Sequence, residues 1–243
     1  MKIAIIMLGP PGAGKGTQAR LLFETMGFAH ISTGDMLRTT IKKGTEDGRR
    51  AKSFIEAGLL VPDELVDSIV KERLWQPDCD RGLILDGYPR KLSQAETLHG
   101  FLEQRDILSL TIGLKIPDEV LIARLGSRWM CPNCNRTFSK ELSSGILKGL
   151  CDKCDIQLIH RTDDANEVIA ARLKIYHEQT EPLVRYYEER GTYVQIDGDQ
   201  LSAKVFYAIR NAVEERKSSF LRGCSGFSAE LALGSNGQNV CSG

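Results

Sequence analysis

Lys15 stands between Gly14 and Gly16 in the run Gly9-Pro10-Pro11-Gly12-Ala13-Gly14-Lys15-Gly16-Thr17. Glycines let a backbone curl around an anion with successive N–H groups turned inward. A helix start adds the positive end of its dipole, and a lysine there adds a cation that can follow a polyphosphate. A tight strand-to-helix turn without a ligand accounts for Gly9 and Gly12 but not for Lys15. The run therefore reads as a phosphate-binding loop. In one place it departs from the general pattern: Gly16 follows the lysine where Ser or Thr would ligate magnesium, and Thr17 comes only next. That points away from GTPases and motor ATPases, towards magnesium held mainly by water and phosphate.

A second chemistry lies in Cys131-Pro132-Asn133-Cys134 and Cys151-Asp152-Lys153-Cys154, two CxxC pairs separated by sixteen residues. Two such knuckles bring four thiolates around one tetrahedral zinc ion. Four sulfurs leave no position for water, so the predicted site is structural, and metal would supply the folding energy of a segment with few apolar residues. A redox CxxC or unrelated thiols would not need two matched pairs. Cys79, Cys224 and Cys241 carry no such pattern and read as incidental.

The third set is the arginines. Arg38 follows the turn Ser32-Thr33-Gly34-Asp35, and Arg90 follows Asp86-Gly87-Tyr88-Pro89. Arg124 and Arg128 precede the cysteine segment, Arg161 follows it, and Arg172 lies on the next helix. Guanidinium forks grip phosphate oxygens in pairs, and phosphoryl transfer asks chiefly for positive charge, in-line geometry and exclusion of water.

Elements must hold these residues in place. The apolar run in Lys2–Leu8 predicts a buried strand and Lys15–Met26 the helix after the loop. Ser32 and Asp35 form a capping box ahead of a helix over Met36–Lys43. Helices follow over Arg49–Ala57 and from Pro62, with Leu65, Ile69, Val70 and Leu74 on one face. Gly82–Asp86 reads as a buried parallel strand with Asp86 at its C-terminal end, where open α/β sheets bind ligands. Leu110–Ile116 and Tyr193–Ile196 are further strands. Asp118–Arg128, Asn166–Glu189 (broken near Pro182) and Ser202–Arg216 are further helices. The alternation predicts an α/β fold with a central parallel sheet. From Ser218 onward small polar residues predict a loose tail, with one transient helical turn over Ala229–Leu233.

Bulk properties narrow the function. The chain has 243 residues, enough for one or two domains, and its 32 Lys and Arg balance its 32 Asp and Glu. No global field steers it to nucleic acid or a membrane. The N-terminal apolar run is too short for a signal peptide or membrane span. The expectation is a cytoplasmic protein with most cysteines as thiols or metal ligands.

The loop Gly9–Ala19, the run Ile31–Arg38 and the run Leu85–Arg90 together resemble adenylate kinase, and the paired cysteines resemble its long, zinc-bearing bacterial form. The resemblance covers about residues 1–217. It implies a P-loop nucleoside monophosphate kinase fold: a core (1–31, 62–126 and 165–217), an AMP-binding flap (32–61), a zinc-binding lid (127–164) and, beyond the family's length, a disordered tail (218–243). It implies ATP, AMP and ADP as ligands, Mg2+ with ATP, a monomer, and no nucleic-acid or membrane partner. By position, Gly12, Ala13, Gly14, Lys15, Gly16 and Thr17 would wrap the ATP phosphates. Arg124, Thr137 and Phe138 would contact ATP, with Gln200 meeting its adenine through the backbone. Thr33, Arg38, Leu59, Leu60, Val61, Gly87, Tyr88, Pro89 and Arg90 would bind AMP, and Gln94 would read its adenine. Arg128, Arg161 and Arg172 would close over the phosphates, the last two also on the AMP side. Lys15, Arg90, Arg128, Arg161 and Arg172 form the implied catalytic set. Asp86 would hold magnesium's waters, and Asp163 and Asp164 would tie the lid to the core. Tyr88 replaces the Phe of many bacterial members. Three alternatives stay open: a kinase for UMP, CMP or GMP, against which Thr33 and Gln94 speak; a zinc-ribbon nucleic-acid binder; and a nucleotide-binding scaffold without turnover.

Overall fold

The computed structural model describes residues 2–139 and 149–230, with Ser139 and residues 223–230 described by backbone alone. A five-stranded parallel sheet runs in the order β2-β3-β1-β4-β8, formed by β1 (Ile3–Leu8), β2 (Ala29–Ser32), β3 (Leu83–Asp86), β4 (Leu108–Lys115) and β8 (Tyr193–Asp197). Every residue of β1 is buried, because helices cover both faces. The pleat divides its side chains. Ala4, Ile6 and Leu8 enter one core with Leu83, Leu85 and Leu98, while Ile3, Ile5 and Met7 enter the other with Ile84, Ile112 and Val213.

The register fixes where chemistry can collect. Asp86 at the end of β3 lies opposite Met7 on one side and Ser32 on the other. The loop after β1, the turn after β2 and the loop after β3 therefore leave the sheet at one edge. α1 (Lys15–Met26) follows the first, α2 (Thr33–Lys42) the second and α5 (Leu92–Gln104) the third. Ser32 caps α2 as the capping box predicts, its hydroxyl accepting from the Asp35 N–H at 3.3 Å. Thr45 does the same for α3 (Glu46–Glu56). α4 (Asp63–Leu74) returns the chain to the sheet.

A three-stranded antiparallel sheet, β6-β5-β7, carries the cysteine segment: β5 (Arg128–Met130), β6 (Thr137–Ser139) and β7 (Ile159–His160). It follows α6 (Asp118–Gly126) and precedes α7 (Asn166–Ile175). The predicted long helix over Asn166–Glu189 is interrupted. A π-helical turn, Tyr176–Thr180, separates α7 from α8 (Leu183–Glu188), and the Glu181 N–H reaches the Tyr176 carbonyl at 2.8 Å. Pro182 explains the break, since it has no N–H to continue the ladder and its ring crowds the preceding turn.

The end of the chain requires a correction. α9 runs over Ser202–Glu230, past the expected end at Arg216, so residues 218–230 of the expected disordered tail are helical. No proline follows Arg216, and the first glycine is Gly223, so nothing stops the helix where it was expected to end. The predicted turn over Ala229–Leu233 falls partly outside the described residues. β2, the three short strands of the second sheet and α5 carry too few residues or too weak a period to be read from the sequence.

Candidate functional site

At the sheet edge the loop after β1 closes on itself. Gly9, Gly12 and Gly14 all have positive φ, and a Cβ on Gly12 would stand 2.9 Å from Leu125 Cγ. Glycine is demanded there by backbone and by space. Lys15, the first residue of α1, donates through Nζ to the carbonyls of Gly9 at 2.7 Å and Pro10 at 2.8 Å. An ammonium has three donors, so one remains for a ligand. Burial brings the Lys15 ammonium down to about 8, with Asp86 opposing and Arg90, Arg172 and Arg128 reinforcing the fall. The departure at Gly16 has a local cause: a Cβ there would lie 3.1 Å from Asp86 Oδ2. The residue after the lysine is small because the carboxylate at the end of β3 occupies the adjoining space.

Burial alone would raise the Asp86 carboxyl, but His30 and Lys15 beside it hold it below the usual carboxylate range. His30 Nε2 is 3.9 Å from Oδ2, too far for a direct hydrogen bond. His30 sits on β2, two residues before the Ser32 cap, and nothing in the sequence pattern marks it as a site residue.

A cavity of about 540 Å³ opens over this edge. Gly12 through Thr17, Asp86, Arg124, Arg128, Thr137 and Phe138 line it, together with Arg38, Arg90, Arg161 and Arg172. Beside it lies a cavity of about 90 Å³, lined by Thr33, Arg38, Leu59, Leu60, Val61, Gly87, Arg90, Gln94, Arg161 and Arg172. Four arginines border both, so the two spaces meet at a cationic seam. Arg90 is walled by protein yet open to the cavity; burial lowers its guanidinium, with Asp86 opposing. Its Nε donates to the Gly87 carbonyl at 2.9 Å.

Where the second sheet joins the core, arginines and carboxylates interlock. Arg128 grips Asp164 with Nε at 2.8 Å and a terminal nitrogen at 2.6 Å. Arg172 donates to the same carboxylate at 2.8 Å and to the Asp163 carbonyl at 2.6 Å. Arg161 holds Asp163 with both prongs of its fork. Burial alone would raise Asp163, but Arg161 and the two other arginines hold it far below the usual range. Three cations face two anions, leaving one positive charge towards the cavities.

Two expected residues stand apart. The Tyr88 side chain is buried in the core and donates its hydroxyl to Asp67 at 2.9 Å, a bond that Phe could not make. Gln200 lines neither cavity. Its amide donates to Asp197 at 3.0 Å, while the adjacent turn accepts Arg124 at Gly198 and Asp199. The sequence also left unread Asp63, Asp67 and Thr180, whose hydroxyl donates to the Arg90 carbonyl at 2.9 Å. Each acts on a residue distant in sequence, and no local pattern announces it.

The sulfurs of Cys131, Cys134, Cys151 and Cys154 all lie within 4.8 Å of one another, the only such metal-ligand cluster among the described residues. Cys134 and Cys151 are 3.7 Å apart, close to the edge of a tetrahedron with metal–sulfur bonds of about 2.3 Å. Cys79 is buried elsewhere, against Arg73.

Comparisons with known proteins agree with this geometry. A family model described as adenylate kinase matches residues 7–192. The chain is 44% identical over 213 residues to an adenylate kinase of Thermoanaerobacter sp. (strain X514), covering 87% of this chain and 98% of the relative. It is 45% identical over 210 residues to that of Moorella thermoacetica, covering 86% and 97%. It is 44% identical over 200 residues to that of Thermotoga maritima, covering 82% and 91%. With the loop, the twin cavities and the four-sulfur cluster on one sheet edge and its inserted lobe, the chain belongs to the adenylate kinase family.

Proposed function

We infer that the chain transfers the terminal phosphoryl group of MgATP to AMP, reversibly, giving two ADP. The observation that carries this reading is the pair of cavities sharing Arg38, Arg90, Arg161 and Arg172. Two nucleotides bound there would present their phosphates to each other across that seam.

In this reading Gly12 through Thr17 cradle the donor phosphates through backbone N–H groups, with Lys15 on the transferred group. Arg124, Thr137 and Phe138 hold the rest of ATP, and Gln200 meets its adenine through the backbone. Thr33, Arg38, Leu59, Leu60, Val61, Gly87, Tyr88, Pro89 and Arg90 shape the AMP side, with Tyr88 acting from behind the wall. Gln94 reads the acceptor's base. Arg90, Arg128, Arg161 and Arg172 stabilise charge on the equatorial oxygens during in-line displacement. No side chain in this set is required as a general base. The flap (32–61) and lid (127–164) exclude water by closing on the core (1–31, 62–126 and 165–217).

Magnesium arrives with ATP and neutralises phosphate charge. Asp86 suits its water shell, being held ionised beside Gly16, where a Cβ would crowd its carboxylate at 3.1 Å. The four cysteines suit zinc, which would pin the two knuckles of the lid. No helix among the described residues is long and apolar enough to cross a membrane. In this reading the protein acts on free nucleotides as a cytoplasmic monomer, and its balanced charge gives no field that would gather nucleic acid.

The test is ADP formation from MgATP with AMP, CMP, UMP or GMP as acceptor, beside an acceptor-free control. Turnover with AMP alone is expected. Preference for another monophosphate would overturn the base assignment and keep the mechanism. ATP loss without acceptor, or no turnover, would overturn the kinase reading.

A further inference from the structure

Gln94 is held from both ends. It is 3% exposed and lines the smaller cavity. Its Oε1 accepts the backbone N–H of Arg90 at 2.9 Å, and its Nε2 donates to Asp63 Oδ1 at 2.9 Å. Lys91 Nζ holds the other carboxylate oxygen at 3.1 Å. A side-chain amide is nearly symmetric in shape, and a half-turn exchanges its oxygen and nitrogen at little steric cost. Here the half-turn is opposed twice. A backbone N–H can only donate, and a carboxylate paired with an ammonium can only accept. The reversed amide would face donor with donor and acceptor with acceptor, leaving buried polar groups unsatisfied.

The frame around this amide is itself anchored. Asp63 begins α4, and one turn later Asp67 accepts the Tyr88 hydroxyl at 2.9 Å. Thr180 fixes the Arg90 carbonyl from the other side. The N–H that Gln94 must accept is thus held in place.

Each end of the amide keeps one unused capacity, a lone pair on Oε1 and an N–H on Nε2. Adenine offers an exocyclic N6 donor beside a ring-nitrogen acceptor, which this orientation satisfies. Guanine offers an O6 acceptor beside an N1–H donor, which only the reversed orientation satisfies. We propose that Asp63 is a positioning residue for base specificity, holding the Gln94 amide in the orientation that accepts adenine and refuses guanine. The proposal rests on reading the smaller cavity as the acceptor-nucleotide site.

The test compares kcat and KM for AMP and GMP, at saturating MgATP, in the unmodified enzyme, Asp63→Asn and Asp63→Glu. An asparagine can donate as well as accept, so it lifts one of the two oppositions to the half-turn and leaves only that of the Arg90 N–H. The preference in kcat/KM for AMP over GMP is expected to contract roughly tenfold in Asp63→Asn, the worth of a bidentate base contact. The change should appear in KM, and Asp63→Glu should restore most of the preference. If Asp63→Asn does not fold, Asp63→Ala carries the same expectation. Equal losses for both nucleotides, or a fall in kcat with the preference intact, would show a merely structural role and overturn the proposal. An unmodified enzyme that does not favour AMP would instead overturn the site reading beneath it.

Discussion

The central sheet and the cysteine-bearing lobe are held together by different forces. The sheet packs an apolar layer on each face, with Ile3, Ile5 and Leu85 wholly buried. The lobe, among its described residues, gathers one buried cluster, Cys131, Phe138, Cys151 and Leu158, with Trp129, Cys134 and Cys154 against it; Met130 is buried nearby. Such a cluster is too small to fold a segment by apolar burial alone, and two of its four buried members are metal-ligand candidates. The sheet supplies a stable edge on which Lys15 and Asp86 face each other. In the proposed reaction the lobe supplies charges, Arg128 and Arg161, that close over bound nucleotide. A lobe that closes in this way is better held by a local staple than by a core shared with the sheet.

The largest effect separates chemistry from stability. Lys15→Met is expected to lower turnover about 10²- to 10³-fold, the usual loss of one preorganised donor in a phosphoryl-transfer or acyl-transfer site. Its melting temperature should change by much less than turnover does, because the loss of the hydrogen bonds to Gly9 and Pro10 is offset in part by relief of a buried charge. Steady-state kinetics beside calorimetry checks both; activity within threefold of the unmodified enzyme would remove Lys15 from the mechanism.

Next comes the sheet itself. Leu85 is fully buried beside Asp86, and Leu85→Ala should cost about 2–5 kcal/mol of global stability, read by urea unfolding. Asp164→Ala acts at the joint between the two regions. It removes the carboxylate that receives both Arg128 and Arg172. The expected cost is about 2 kcal/mol, less than for an isolated buried pair because Asp163 still faces those arginines. A cost near zero would mean that water already satisfies the joint.

Cys151→Ser tests the lobe. The main unfolding transition should shift by less than about 1 kcal/mol, while amide protons of Thr137 and Leu158 lose protection from exchange and bound zinc falls. If Cys151→Ser lowers global stability as much as Leu85→Ala, the two regions form one cooperative unit and the sheet and lobe are not held by separate forces.

The two regions were also unequally legible. The strand, loop and helix around Lys15 are consecutive in the chain, so spacing alone located them. The CxxC knuckles are equally local. The smaller cavity draws on Thr33, Leu59 to Val61, Gln94, Arg161 and Arg172, which only the folded chain brings together; resemblance to a family named them, whereas periodicity could not. Asp63, Asp67, Thr180 and His30 escaped because each acts on a residue supplied by another element. α9 beyond Arg216 was misread because small polar residues weaken a helical period without forbidding a helix.

The smallest prediction probes the seam where α6 leads towards the lobe. His177, in the π turn, offers Nδ1 to Glu181 at 2.8 Å and Nε2 to Asp118, at the start of α6, at 3.0 Å. These carboxylates, Glu181 foremost, raise the His177 imidazolium above its ordinary value. Because the folded-state value is raised, the stabilisation is fully present below the unfolded value of about 6.5. It is lost as pH rises through the folded value. The ring is substantially exposed, so solvent screening keeps the effect below about 1 kcal/mol. His177→Gln should therefore be slightly less stable than the unmodified protein near pH 6, the difference vanishing by about pH 9, where the histidine is neutral. Paired melting curves across that range check it. A difference that stays constant with pH would assign the contact to packing, and one that grows with pH would show that the imidazolium is not the form that joins α6 to the π turn.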